Sequence, residues 1–319
     1  FSNYGSRYHL MYTNKDGVSV SGPDSEGFSP TESYRRAVRT LFSEMGNNKE
    51  MIFYRLDNAA GTMQYDRMPN RSGNTTNYRG GSLLGATQEM VDAYFMSNGE
   101  SPISGYSADG VTPIINEKSD YVEEGVSTTE YKGTDGTLYA PTGTRMMYVN
   151  REPRFYASIL YNGATWKGRT LQLYVDGNDG YMDFATTGQD NVHKSTTGYL
   201  IRKFASDDTN INFSSILSGQ YWIEMRLAEI YLIRSEAYAR QNEFGKAYAD
   251  LKTIRDRVGL PELAQQNNWS DYLEDLSKER ICELGMEGHR YFDLIRWGIA
   301  VRTLDHKRLH GVKITQAGG

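Results

Sequence analysis

Residues 225–261 constrain this chain more than any other stretch. Leu227, Ile230, Tyr231 and Tyr238 mark one face of a helix, and Ala247, Leu251, Ile254 and Val258 mark a second. Asn242-Glu243-Phe244-Gly245 make the turn between them, and Gly259 and Pro261 stop the second helix. Ser235 and Ala247 put small residues where two antiparallel helices would cross. Tyr238 follows the first by three and Leu251 the second by four, the spacing of one tetratricopeptide-type unit of about 34 residues. One such unit cannot bury both of its faces, because helical repeats are stabilised by their neighbours. No second clear copy is present, so the hairpin must dock either on the rest of this chain or on helices outside the sequence. Two more helices are predicted over Ser270–Leu284 and Arg290–Arg302.

Upstream the pattern changes. Residues 1–220 are rich in Gly, Asn, Thr, Ser and Tyr, with short segments between turns, whereas 221–319 carry the helical periodicity. We read the two regions as one intimate unit. The first has one good helix: Ser29 as N-cap, Pro30 at the first position and Glu32 reaching back, with Tyr34, Ala37, Val38, Leu41, Phe42 and Met45 on one stripe up to Gly46. Met51–Tyr54 reads as a short buried strand, residues 57–85 as a long loop and Thr87–Tyr94 as a short helix. An acidic cluster at Glu117, Asp120, Glu123 and Glu124 reads as solvated loop. Strands are predicted at Arg154–Tyr161, Leu171–Val175 and Tyr199–Phe204. A stretch this loop-rich has to be ordered by packing on something else, and long ordered loops carry function more often than not.

Several function classes are disfavoured. The net charge is -5 and no Lys/Arg run is dense enough to follow phosphates, so nucleic acid is not an expected partner. No apolar run is long enough to span a bilayer. Cys282 is the single cysteine, so there is no intrachain disulfide and no Cys-rich zinc site, and it reads as a small buried residue. Nucleophile-elbow, phosphate-loop and dinucleotide fingerprints are missing, and no carboxylate pair among the 40 Asp and Glu stands in a context of its own. Asp176-Gly177-Asn178-Asp179-Gly180 begins like a calcium loop, but position twelve is Thr187 rather than Glu, which leaves a tight turn. Glu279, Glu283 and Glu287 repeat every four residues near His289. A carboxylate-bridged metal site would need Glu-x-x-His on more than one helix. The expected reading is an ion-pair network with Arg280, Arg290 and Arg296. No catalytic residue, metal or cofactor is expected.

The tyrosines stand out, 24 in 319 residues. Each offers a flat apolar face and a hydroxyl, which suits a polar ligand such as a sugar or an extended peptide. Most of them must nevertheless fill strands and helix faces, and Tyr34, Tyr231, Tyr238 and Tyr291 are expected to pack. Trp297 sits at helix spacing from Leu294 and reads as core.

The carboxy-terminal third also carries a pattern of its own. Met225-Arg226-Leu227-Ala228-Glu229-Ile230-Tyr231 through Tyr238-Ala239, then Ile254-Arg255-Asp256-Arg257-Val258-Gly259-Leu260, Glu279-Arg280-Ile281 and Glu287-Gly288-His289-Arg290-Tyr291-Phe292-Asp293-Leu294-Ile295-Arg296-Trp297-Gly298 follow in order. Upstream, Thr87–Tyr94, Glu152-Pro153-Arg154-Phe155 and Gly198–Phe204 belong to the same series. Together they resemble the SusD/RagB family of outer-membrane nutrient-binding lipoproteins, over nearly the whole chain.

The resemblance implies a mainly α protein with loop-rich segments and short strands. It implies non-catalytic binding of an oligosaccharide or polysaccharide on the extracellular face of the outer membrane, delivered to a SusC-like TonB-dependent transporter. The lipid anchor would sit on an amino-terminal Cys that this chain lacks, together with an amino-terminal half of repeat helices, so the chain is expected to be the carboxy-terminal portion. Glu287-Gly288-His289-Arg290 would be architectural. Sugar recognition stacks aromatic rings on pyranose faces while Asn, Asp and Arg bond the hydroxyls. The candidates are Tyr65, Asn70, Arg71 and Tyr78 in the loop before Thr87, with Tyr106 and Trp166 as outliers. Peptide binding and a helical scaffold for another protein are the alternatives, with a hydrolase behind them.

Overall fold

A computed structural model describes residues 50–56, 66–69, 80–133, 138–175, 177–179, 195–205, 221–305 and 308–315. The helix predicted at 29–46 and most of the loop at 57–85 lie outside them. The described residues hold seven α-helices and ten short strands, and the strands form only two-stranded pairs. No helix among them is long and apolar enough to cross a membrane.

The hairpin forms where the sequence places it. Helix α3 (Leu227–Arg240) and α4 (Phe244–Arg257) pack along their length, with Asn242 in the left-handed region at the turn. The small crossing residues close the contact: the Ser235 hydroxyl bonds the Ala247 carbonyl at 2.6 Å, and Tyr272 Oη lies 2.7 Å from Ser235 Oγ. Tyr272 belongs to α5 (Trp269–Leu284), whose N-cap Asn268 accepts from the Asp271 amide. Helix α5 covers α3, so the hairpin does find a neighbour within the chain. Ala228, Leu232, Leu251, Ile254 and Leu276 fill that core. The last predicted helix is two, α6 (Arg290–Arg296) and α7 (Ala300–Leu304), broken at Gly298 with φ +71°. Tyr291 on α6 is 60% exposed, which corrects its assignment to packing.

The short helix predicted at Thr87–Tyr94 is present as α1 (Gln88–Ala93), and the Thr87 hydroxyl caps it by accepting the Met90 amide. Strand β1 (Met51–Leu56) pairs with β10 (Tyr221–Arg226), which runs straight into α3. The strand is right but its burial is not: Phe53 is 61% exposed, because a two-stranded ribbon leaves a face uncovered. Arg154–Tyr161 is mostly helix, α2 (Pro153–Ser158), followed by β6 (Ile159–Leu160). Pro153 at the first position presets the helical φ, a signal outweighed in the sequence by the aromatic and β-branched content of Phe155, Tyr156, Ile159 and Tyr161. Strand β9 (Leu200–Ile201) pairs with β6, and left-handed Phe204 ends that segment. Leu171–Val175 is not a strand. Side chains stand in for a ladder there: Asn162 accepts from the Leu173 amide and Asp179 from the Gln172 amide, each at 2.8 Å. Asp179 thus serves the tight turn expected of that segment.

Most described tyrosines of the loop-rich region build its core. Tyr139 and Tyr156 stack at 4.6 Å, Tyr148 and Tyr161 at 4.4 Å, and Tyr199 meets Tyr148 edge-on. Their hydroxyls are bonded: Tyr156 to the Tyr148 carbonyl and Tyr161 to that of Tyr139. Residues 308–315 lie across this region as an extended strap. The His310 carbonyl accepts from the Gln88 amide, Val312 donates to Thr197, and Ile314 accepts from Val175.

Candidate functional site

Two polar constellations emerge, one buried at the centre and one opening towards the surface.

The buried one grows from the Glu279, Glu283, Glu287 repeat. Four-residue spacing puts these carboxylates on one side of α5 and the turn after it. Five cations from four other places in the chain meet them. Arg226 presents its fork to Glu287, with Nε and Nη2 both at 2.7 Å, and its Nη1 reaches Glu50 and Glu283 at 2.7 Å each. Lys203 bonds Glu287 at 2.6 Å and also the carbonyls of Glu283 and Gly285 at 3.0 Å, satisfying the end of α5. Arg154 joins Glu152 and Glu279, both at 2.6 Å, Arg255 joins Glu279 at 3.0 Å, and Arg257 joins Glu283. A side chain at Gly285 would put its Cβ 2.5 Å from the Ile281 carbonyl oxygen, so only glycine fits that corner. Five carboxylates face five cations, all nearly inaccessible. The network is as the sequence predicts, but its partners are not. Arg280 lies one residue from Glu279 and points to another side, where it bonds Asp293 at 2.6 Å. Arg296 goes to Asp293 and Glu236, and Arg290 to the Ser277 hydroxyl. Among the described residues no cluster of three or more His, Cys, Asp or Glu has the arrangement of a metal site.

Burial alone would raise the Glu283 pKa, but Arg257, Arg226 and Arg154 outweigh it and hold the carboxyl well below its ordinary 4.5. Burial opposes ionisation of Glu287 too, and Arg226 and Lys203 again win. Both groups ionise more readily folded than unfolded, so the unfolded chain takes up more protons as pH drops. Their contribution is complete above the unfolded value near 4.5 and is lost as pH falls through the depressed folded values. We expect the urea midpoint to fall steeply below about pH 4.5. The Glu283→Gln protein, weaker at pH 7, should show a shallower pH slope. An equal slope in both proteins would remove Glu283 as a cause.

The second constellation surrounds Tyr106, on β2 (Ile103–Tyr106), which pairs with β3 (Pro113–Ile115). Tyr106 is half-buried, and its hydroxyl donates to Asp92 on α1 at 2.7 Å. Gln88, one turn earlier on α1, donates to the other Asp92 oxygen at 2.9 Å and accepts from the Tyr199 hydroxyl at 2.6 Å. Tyr148 donates to Tyr199 in turn, so a chain of hydrogen bonds runs from the tyrosine core to Tyr106. The His310 ring lies 5.6 Å from the Tyr106 ring, with its Nδ1 2.5 Å from Glu89. Burial pushes the Asp92 carboxyl up, partly offset by Arg151 and by the bonds from Tyr106 and Gln88. The arrangement joins an aromatic face to carboxylate acceptors, an amide and an imidazole, the mix that hydroxyl-rich ligands require.

Of the two predicted site residues that are described, Tyr106 has this setting. Tyr65, Asn70, Arg71 and Tyr78 lie outside the described residues. Trp166 is corrected: it is fully buried, with the Arg202 guanidinium 5.7 Å from its ring centre, and no face is open for stacking. It sits on β7 (Thr165–Trp166) against β8 (Arg169–Thr170), with its ring turned inward. Sequence reasoning missed Gln88, Asp92 and His310. The i, i+4 pair of Gln88 and Asp92 is legible, but nothing local couples it to residues 106 and 310.

Comparison with known proteins bears on what this fold is. The model of the SusD family (SusD_RagB) matches residues 49–317. SusD-like protein P25 of Formosa agariphila is 34% identical over 84 residues, 24% of this chain and 15% of that protein. A solved SusD-like protein from Bacteroides fragilis superposes with a TM-score of 0.65 at 26% identity, over 99% of this chain and 52% of that one. A second from the same species, described as a SusD-like carbohydrate binding protein, shares the fold at a TM-score of 0.57 and 22% identity, over 86% of this chain and 50% of its own. The chain thus spans about half the length of the solved relatives it matches. A family match that starts before β1 and runs past the strap, on a fold shared with solved SusD-like proteins, places this chain in the SusD family.

Proposed function

We propose that this chain takes part in non-catalytic capture of an extracellular oligosaccharide or polysaccharide at the outer membrane. It would pass the glycan to a SusC-like TonB-dependent transporter, held at the cell surface by a lipid on an amino-terminal Cys outside this sequence. The observation that carries the reading is the family match over residues 49–317, supported by a neighbour of the same fold described as carbohydrate binding. The Tyr106 constellation supports it chemically. The half-buried Tyr106 ring orients a pyranose, with the partly exposed Glu89 and His310 beside it as polar partners for hydroxyls, while Asp92 and Gln88 hold the Tyr106 hydroxyl in place. Tyr65, Asn70, Arg71 and Tyr78 remain proposed contributors.

Titration calorimetry with a panel of neutral and acidic oligosaccharides tests the reading, and heat from none of them would overturn it. With a binding glycan in hand, Tyr106→Ala should weaken affinity about tenfold, the equivalent of about 1.4 kcal/mol for one stacked ring. Tyr106→Phe keeps the ring and should retain most of the affinity. Tyr65→Ala combined with Tyr78→Ala should also weaken binding. Unchanged affinity in both alanine proteins would displace the site from these residues.

A further inference from the structure

The hydrogen bonds around Tyr106 have a direction, and that direction constrains the ligand. A carboxylate only accepts, and a tyrosine hydroxyl has one proton to give. Asp92 takes that proton from Tyr106 at 2.7 Å, and its other oxygen accepts from the Gln88 side-chain amide at 2.9 Å. The Tyr106 hydroxyl is left with lone pairs alone for any further partner. Glu89, the neighbour of Gln88 on α1, accepts the His310 backbone amide through both oxygens, at 3.0 and 3.3 Å, and lies 2.5 Å from the Nδ1 of the same residue. Its side chain is still 28% exposed, so it too meets a ligand as an acceptor.

The charges agree with the bonds. Those acting most strongly on the Tyr106 hydroxyl are Asp92, Glu89 and Glu123, all negative. Glu123 is held by the Tyr121 hydroxyl, which donates to it. Arg151 offsets part of the Asp92 charge but cannot reach a ligand, because it is fully buried and donates to the carbonyls of Val91, Tyr94 and Met147. In the strap, His310, Val312 and Ile314 are partly buried while Leu309, Gly311 and Lys313 are exposed, the alternation of an extended chain. Lys313 is therefore on the face turned away from Tyr106. Arg308 shares the parity of His310 and is exposed to water two residues further out.

We propose that this site selects neutral, hydroxyl-rich sugars and rejects acidic ones, with Glu89 as the residue that makes the distinction. A sugar hydroxyl can donate to Glu89 and to the Tyr106 lone pairs. A uronate carboxylate or a sulfate has no proton to give. Beside these oxygens it would lose its water, gain no donor and face like charge. The inference rests on the glycan reading above and narrows it to a substrate class.

Titration calorimetry with oligosaccharides of glucose, galactose and mannose, each against the uronate made by oxidising its primary alcohols, tests it. Backbone and linkage are the same within a pair, so the pair isolates the acidic group. For a backbone that binds, the neutral form should bind at least about tenfold more tightly. Glu89→Gln keeps an oxygen for the His310 amide and places an N–H beside the ligand. It should narrow that ratio at least about threefold by strengthening the uronate. A residue that only holds the strap would weaken both forms alike and leave the ratio where it was. A uronate that binds as tightly as its neutral partner overturns the selectivity while leaving glycan binding intact. So does a ratio unmoved in a Glu89→Gln protein that keeps the native circular-dichroism spectrum. Heat from neither form of any pair removes the glycan reading itself, and this inference with it.

Discussion

Arg226→Met should destabilise the fold by about 3–5 kcal/mol, the typical cost of removing one partner from a buried ionic cluster. The side chain is 2% exposed and bonds Glu50, Glu283 and Glu287 together. Methionine fills much of the volume but leaves three carboxylates short of a cation, and their mutual repulsion is unscreened by water. A domain with about 5–15 kcal/mol in total loses a large share of it. Arg226→Lys should recover little, because one ammonium cannot reproduce a fork that reaches Glu287 through two nitrogens while also serving Glu50. Urea denaturation followed by tryptophan fluorescence reads the effect directly. A loss under about 1 kcal/mol would mean that water has replaced the guanidinium at little cost.

Trp166→Ala is the second large effect. The indole is among the largest fully buried side chains and belongs to the same core as Leu171, Leu173 and Ala164. Removing it should cost about 3–5 kcal/mol through lost burial and the cavity left behind. Any glycan affinity should survive in the fraction that remains folded. This separates a core residue from a stacking platform: a platform would lose affinity and keep its urea midpoint, the opposite pattern.

What could be read in the sequence follows from the range of the forces involved. The hairpin of α3 and α4, the start of α1 at Thr87 and the α5 segment rest on periodicity and caps within a few residues, and all are present. The break at Gly298 is also local, yet the apolar spacing continues past it and reads as one helix. Arg154–Tyr161 fails for the reverse reason, its strand-favouring aromatic and β-branched residues hiding a proline-initiated helix. The ion network was half legible. Its carboxylate spacing is local, but Arg226 and Glu50 are 176 residues apart and Arg154 and Glu279 are 125 apart. No rule of spacing reaches that far. The tyrosine surplus divides along the same line. Composition registers the excess, while only packing tells Tyr148 and Tyr156, sealed in the core, from Tyr106, set at the edge.

The strap bears on the order in which the protein is made. The Thr197 carbonyl accepts from the Val312 amide and the Val175 amide donates to the Ile314 carbonyl, and both strap residues leave the ribosome more than a hundred residues later. At about 5–20 residues per second the partners arrive several seconds apart. In that interval the Tyr148, Tyr199 and Gln88 relay lacks its outer wall, and α1 lacks the carbonyl that receives its Gln88 amide. A stretch synthesised more than a hundred residues later therefore closes the region built around Tyr106, so a nascent chain halted before residue 308 should hold the helical hairpin but leave that region open to protease.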